Sequence, residues 1–575
     1  MYRNSAAHHC RVIVFGILSF CLVFSLSCLT MNAAAREWYV RPAGGEYGME
    51  NGSSYQDAWD GLLAVVWGEG GVQPGDTLSV CGTHIYRMSN HAHIATQAVV
   101  NVPGGTGEQK RITIRGDCPG DPGVVWGGYI RDPEKGHGYS GRFEWTEDPS
   151  HHGVWSTVLD AGHYGDWFFE QGDSGCHPLE KASSIDELAQ KKGSHYSVNY
   201  EKGSMLYVHP STEGNPKGRI LFNLYGYRFS IRSNGYITFR NLGFMNPRPF
   251  WMGNECPHHV RFEKCRLFYG TSRMFSIRDG MDYMEVVDCE IAWAGNGIYT
   301  ISSSNTGAPS YYRFTGNYIH DIGVRPIHRN ADSHAIGIQG GTNGLIADNV
   351  IENSGSSILL YAFTNQVLRN VVVTRNQVRN CHTLTGTSAY GISTQCSNNS
   401  LSDKSGNQFF DNIVTNCPVG YRFQFEHDQE FYHNIAAYCG IGLEASRTFN
   451  NKGPRIKARN NIFFSSRINH VRFATGAKNY LFDSDYNLYF PDGANMFVLG
   501  QEKFKLKGWQ RKSKSDANSF VADPLFRNPL DGDFHLKPGS PAAGAGIPIG
   551  ITHDMEDLPF PAKPDIGPYS SNASR

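Results

Sequence analysis

Between about residues 235 and 490 one short pattern of apolar and polar positions recurs. An alternating apolar stretch leads into Asn or Cys, one residue follows, and an apolar residue closes the unit. Val260 to Leu267 is built this way around Cys265, Met284 to Ile291 around Cys289, and Tyr312 to Ile319 around Asn317. Leu345 to Ile351, Val371 to Val378 and Phe409 to Val414 repeat it around Asn349, Asn376 and Asn412, and later copies hold Asn434, Asn461 and Asn487. Successive Asn or Cys positions lie 24, 28, 32, 27, 36, 22, 27 and 26 residues apart. Such a period with variable loops excludes helical repeats, which need long amphipathic stretches, and leucine-rich repeats, which need a Leu framework. Short alternating segments bounded by Gly and polar turns are strands. Strands that return in one direction every coil stack as parallel sheets, so the pattern predicts an all-β solenoid, a parallel β-helix.

Asn has two uses at such a turn. It tolerates the left-handed backbone, and stacked amides hydrogen-bond from coil to coil as they do in cross-β arrays. An antiparallel sandwich would not hold Asn in register along so many coils. Asn317, Asn349, Asn376, Asn412, Asn434 and Asn461 are therefore expected in one column. A second strand in each coil is aligned on Ile336, Ile358, Ile392, Tyr421 and Ile441, and period 2 points these side chains inward. Gln339, Tyr361, Gln395, Gln424 and Glu444 then form an outward column, flanked by Arg422 and Glu426.

Other patterns frame the repeat. Arg3, His8, His9 and Arg11 precede the apolar run Val12 to Leu29, and Ala33, Ala34 and Ala35 offer a small-residue cleavage site. Residues 1–35 thus read as a signal peptide cleaved after Ala35, and the protein as secreted or periplasmic. Residues 36–140 would hold an N-terminal cap and the first coils, 141–225 an inserted β-rich module, 226–495 the main coils, and 496–575 the last coils and tail. Within 57–67, Trp59, Leu62, Leu63, Val66 and Trp67 share one helical face and predict a helix capping the open end of the solenoid. Trp145, Trp155, Trp167 and the stretch Leu206 to Val208 break the period and mark the inserted module, with one short helix near Ile185 to Gln190.

The repeats resemble the pectate-lyase-like, right-handed parallel β-helix superfamily. So do the opening Trp38-Tyr39-Val40, Ala58-Trp59 and Pro74-Gly75-Asp76-Thr77. The ending is similar to that of secreted members at Asp523-Pro524-Leu525-Phe526, Pro538-Gly539-Ser540-Pro541 and Pro564-Asp565-Ile566-Gly567. The resemblance covers nearly all of the mature chain and implies a right-handed solenoid that works on a polysaccharide. It transfers no catalytic motif, because the superfamily holds lyases, glycosidases, epimerases and binding proteins.

A formal net charge of −1 gives no argument for nucleic acid or an anionic membrane surface. A hydroxyl-rich polysaccharide is the expected partner of a monomer that leaves the membrane once its leader is cleaved. Of the 13 Cys, those beyond the leader form no CxxC, and no Asp cluster has calcium-loop spacing. No metal or cofactor is expected, although one Ca²⁺ held across coils stays open. Cys265 and Cys289 share the repeat and should stack inward as small hydrophobes; the pairing of the other cysteines stays open.

The outward face mixes amides, carboxylates, an Arg and a Tyr, the donor and acceptor set that reads sugar hydroxyls. Gln339, Tyr361, Tyr390, Gln395, Arg422 and Gln424 are the expected substrate-binding residues, and Tyr361, Tyr390 and Trp251 offer rings for sugars. With coils about 4.8 Å apart, the column spans roughly 19 Å. Asp332 and His334 sit in a long coil, and long loops on a rigid scaffold are where sites form. A His beside a carboxylate can carry protons near neutral pH; its plainer reading is a turn His bonded to backbone. Glu426 and Glu444, offset by two residues on adjacent coils, would lie about 8 Å apart at Cα, within reach of a glycosidase acid and base pair; their plainer reading is two solvated carboxylates. Arg422 and Arg472, in equivalent outward positions, would neutralise a uronate in a lyase. A glycoside hydrolase leads, ahead of a lyase or epimerase acting on a uronic-acid polymer and a non-catalytic glycan-binding solenoid.

Overall fold

The computed structural model describes residues 34–571 except 89–97, 132–144, 161–166, 173–174, 201–202, 223–225, 233, 248–255, 271–272, 303–306, 324–332, 364–365, 383–388, 397–402, 447–452 and 475–479. The leader up to residue 33, Trp251 and Asp332 lie outside the described residues. Among those described, no helix is long and apolar enough to cross a membrane.

Three sheets of 14, 16 and 10 strands stack between Glu37 and Val521, the third of them beginning only at Arg273. One coil shows the path. Leu345–Ala347 lies in the first sheet, Val350–Ser354 in the second and Ser356–Ala362 in the third, and Val372–Thr374 then returns parallel to the starting strand, with Leu345 opposite Val372. The fold is a right-handed parallel β-helix.

The corner between the first two sheets is the expected Asn column. Asn349 Oδ1 accepts from the backbone N–H and Nδ2 of Asn317 at 3.0 and 2.9 Å, and the same groups of Asn349 donate to Asn376 Oδ1 at 3.2 and 2.8 Å. The links continue through Asn412, Asn434 and Asn461 to Asn487, and Cys289 and Cys265 extend the column at the other end. One expectation is corrected: the Asn does not itself take the left-handed backbone. The residue before it does, as at Lys264, Asp288, Asp348, Arg375, Asp411, His433 and Asn460, with φ between 52° and 59°. The ladder amide must point inward to reach both neighbours, so its predecessor makes the reversal.

Ile336, Ile358, Ile392 and Tyr421 pair in register and are fully buried. Ile441 does not continue that row: Tyr421 pairs with Leu443, and Ile441 pairs with Val419. The strands enter the third sheet as Tyr390-Gly391, Val419-Gly420 and Ile441-Gly442. A Cβ on these glycines would meet Val414, Cys439 and Phe463, all core residues. The glycine therefore takes the inward direction and its predecessor is turned out, so Tyr390, Val419 and Ile441 form their own buried cluster apart from the core.

The predicted N-terminal cap helix is absent. Trp59–Asp60 is a strand pairing with Glu37–Arg41, Trp59 stacks on Trp38 at 5.3 Å, and Leu63 and Val66 are exposed. Gly61 and Gly68, at φ of 89° and 88°, bend the chain where a helix would have to continue. A helix not foreseen, Leu506–Ser513, closes the other end by laying Trp509 over Phe473 and Phe497 at 5.3 and 5.1 Å. Between residues 146 and 209 five strands form a separate, mostly antiparallel sheet, joined by the short helix Ile185–Ala189. Disulfides join Cys81 to Cys118 and Cys381 to Cys417, while Cys265 and Cys289 are free and buried in the stack.

Candidate functional site

The third sheet presents side chains away from the core in continuous columns. One runs through Ser276, Tyr299, Gly337, Leu359, Ser393, Arg422, Glu444 and Arg472. A second runs through Ile301, Gln339, Tyr361 and Gln395. Gln424 joins it beside Gln395, with its Oε1 accepting from the Cys396 N–H at 3.3 Å. Parallel pairing without insertions inside the strands lets equivalent positions line up.

Glu444 stands in the first of these columns, not in the Gln column where the sequence alignment put it. Misaligning Ile441 with Tyr421 shifted it by two residues. It is buried between Arg422 and Arg472, one coil to either side. Arg422 Nε lies 3.3 Å from Glu444 Oε1, and Arg472 Nε donates to Glu444 Oε2 at 2.9 Å. Ser446 Oγ accepts from Arg422 and donates to Glu444, both at 2.8 Å. Arg422 also covers the Tyr390 ring, 4.5 Å from its centroid. Two guanidiniums thus share one carboxylate, which leaves a net positive charge and unused N–H donors on this part of the face.

Glu426 follows the end of its strand and pairs with the fully buried Lys404, Nζ to Oε1 3.1 Å. Since Arg422 pairs with Glu444, Glu426 is four residues further on. The Cα separation of Glu426 and Glu444 is then on the order of 14 Å, not about 8 Å. Each carboxylate is also tied to its own cation, so the two do not form the adjacent acid and base pair expected from the sequence.

His334 opens its strand three coils before Val419–Phe423. Its backbone N–H donates to Asn296 Oδ1 at 2.9 Å, and its Nδ1 donates to the Ser356 carbonyl at 3.3 Å. This is the plainer, backbone-bonded reading of that His. Roughly 14 Å of coil spacing separates it from Glu426, so the two do not meet at one bond. A stack the sequence reading missed surrounds it. The Arg273 guanidinium lies 4.6 Å over Tyr299, whose ring is parallel to His334 at 6.1 Å and whose hydroxyl donates to Gln339 Oε1 at 3.3 Å. Gly337 makes room, since a Cβ there would sit 2.6 Å from the Tyr299 ring. The available signal was the small residue at each strand's second position, Gly297, Ala335, Ser357, Gly391, Gly420 and Gly442, which fixes the register that the Ile alignment misplaced.

Among the described residues, no group of three or more His, Cys, Asp or Glu side chains could hold a metal ion.

No family model and no curated protein matches this chain. Solved structures do. The complex of XylC with xylose aligns at a TM-score of 0.50 and 12% identity, over 93% of this chain and 98% of that one. A glycoside hydrolase aligns at 0.39 and 10%, over 84% and 99%, and pectate lyase Pel9A at 0.29 and 10%, over 94% and 97%. The first of these likenesses confirms the class, a right-handed parallel β-helix, along nearly the whole of both chains.

Proposed function

We propose that the protein is a secreted, carbohydrate-active enzyme that cleaves glycosidic bonds of a polysaccharide on the outer face of the third sheet. The observation behind this reading is the paired columns there, Gln339, Tyr361, Gln395 and Gln424 beside Arg422, Glu444 and Arg472. Amides and a tyrosine ring suit sugar hydroxyls and sugar faces, and the run of coils matches several sugar units. A xylose complex of a protein with this fold over 98% of its length supports the substrate class. Hydrolysis is the leading chemistry, with Glu426, fixed by Lys404, as the carboxylate that acts on the attacking water. One observation favours a second reading, elimination from a uronic-acid polymer. The two guanidiniums around a single carboxylate have charge to spare for a uronate.

A panel of neutral and uronic polysaccharides tests this, with new reducing ends measured beside the ultraviolet absorbance of unsaturated uronate. Reducing ends without that absorbance indicate hydrolysis, and both together indicate elimination. Glu426→Gln is nearly isosteric and should abolish hydrolytic turnover with the fold intact. Full activity in that variant discards Glu426, and binding without cleavage across the panel leaves a glycan-binding solenoid.

A further inference from the structure

The C-terminal segment crosses the stack on the side away from the candidate site. Phe526, Phe534, Leu536, Ala542, Ile566 and Tyr569 pack on Ile413, Ile435, Ile462 and Leu488, the outer face of the second sheet. Gly567 lets the segment approach closely, since a Cβ there would lie 2.8 Å from Ile462 Cδ1. Along its edge the segment covers the left-handed corner residues of three successive coils, Asp411, His433 and Asn460, all of them buried.

These contacts are selective for protonation state. Asn460 Oδ1 accepts from the Ile547 N–H at 3.0 Å, and its Nδ2 donates to His433 Nε2 at 3.0 Å and the Ile547 carbonyl at 2.8 Å. His433 Nδ1 donates to the Gly567 carbonyl at 2.9 Å, and its ring stacks on Phe560 at 4.6 Å. The ring therefore needs one proton on Nδ1 and none on Nε2, the neutral form. Asp411 is 1% exposed, and its Oδ1 is buried without a hydrogen-bond partner. Two charged groups face it: Asp554 from the segment, whose own oxygens accept from the Glu556, Leu558 and Ser570 N–H groups, and Arg375 from the preceding coil, already bound to Asp348. A carboxyl in this place is tolerated as the neutral acid and opposed as an anion.

We propose that this segment is a pH-responsive strap, docked from mildly acidic to neutral pH and opening locally as the pH rises, which bares the apolar outer face of the second sheet. Burial, then the charge of Asp554, holds the Asp411 carboxyl well above its usual 3.8, and burial pushes His433 from 6.5 down to about 4. Between those usual values the released strap has Asp411 ionised and His433 protonated, and the docked strap has the reverse. Both bind one proton, so docking there is independent of pH. Above 6.5 the released state loses its His proton, so for as long as the docked Asp411 holds its own, docking takes up one proton. Docking then weakens by about tenfold per pH unit until Asp411 ionises in place.

Amide hydrogen exchange of the full chain, corrected for intrinsic rates, tests this between about pH 6 and about pH 8. Protection of Leu558, Gly567 and Ser570 should fall, by up to about tenfold per pH unit while Asp411 holds its proton, and that of Asn349 and Asn376 in the ladder should stay constant. In Asp411→Asn only His433 still titrates, so strap protection should rise by about fourfold instead of falling, and ladder protection should show the fold intact. Level strap protection in the wild type, an equal fall in Asp411→Asn, or a common fall of strap and ladder would each overturn the proposal.

Discussion

Asn412 and Gln395 are both amides in stacked columns, one at the corner between the first and second sheets, the other on the outer face of the third. Asn412 is fully buried. It accepts from Asn376, donates to Asn434 from its N–H and Nδ2 at 3.0 Å, and also reaches the Val373 and Phe410 carbonyls. Its neighbours in the column are the same residue, a short amide that accepts from one coil and donates to the next through both N–H and Nδ2. Gln395 is half-buried and follows Tyr361 in a column whose members change from coil to coil. The corner amides use their hydrogen-bonding capacity within the stack and hold the coils together. Under the proposed function, the face amides keep part of theirs for a ligand. Uniform residues therefore mark structure in this fold, and varied polar ones mark the candidate site.

Acid should strain the framework most. His84 and His470 are each buried and pushed down to about 4 from 6.5, while the same fall at His433 is offset by the raised Asp411 carboxyl. A depressed histidine stabilises the fold above its unfolded value, and that stability is lost as the pH falls through the interval to the folded value. Each is worth about 3 kcal/mol. Thermal unfolding should therefore drop steeply between those two values. A melting temperature level across the interval would remove these residues as the cause.

Packing comes next. Ile358→Ala empties a fully buried site in the inward row and should cost about 2–5 kcal/mol by denaturant unfolding. One amide from each column separates the two roles. Asn412→Ala strands the donors of Asn376 and should cost about 3 kcal/mol, whereas Gln395→Ala should change stability by less than about 0.5 kcal/mol and weaken binding of oligosaccharide instead. Equal costs would mean that the face amides are framework too. One effect has the opposite sign. The Tyr312 hydroxyl is fully buried with no hydrogen-bond partner, so Tyr312→Phe should stabilise by about 1 kcal/mol in the same assay.

The ladder was legible in the sequence because its chemistry admits few residues, so Asn, or Cys in its first two coils, recurs at the corner and fixes the period. The inward row was legible as far as Tyr421. It failed at Ile441 because Ile441 and Leu443 are both apolar two residues apart, and period 2 cannot choose between them. Gly442 decides, since the inward space beside Phe463 admits no side chain. That slip displaced Glu444 and made it look like a partner of Glu426. The N-terminal helix was misread because the apolar spacing around Trp59 suits a helix, while the glycines and the strand pairing with Glu37–Arg41 set the outcome. Arg273, Tyr299 and Lys404 were not read as site residues because their neighbours come from other coils and a loop, contacts that no local pattern encodes.

The proposed function turns on sugar binding along the outer face of the third sheet. It is tested most directly by the crystal structure of Glu426→Gln soaked with an oligosaccharide of the polysaccharide it acts on or binds. Sugar rings are expected along Gln339, Tyr361, Gln395 and Gln424, with Arg422 or Arg472 donating to one of them. Sugar seated on the second sheet or on the five-stranded inserted sheet, with this face empty, would contradict it.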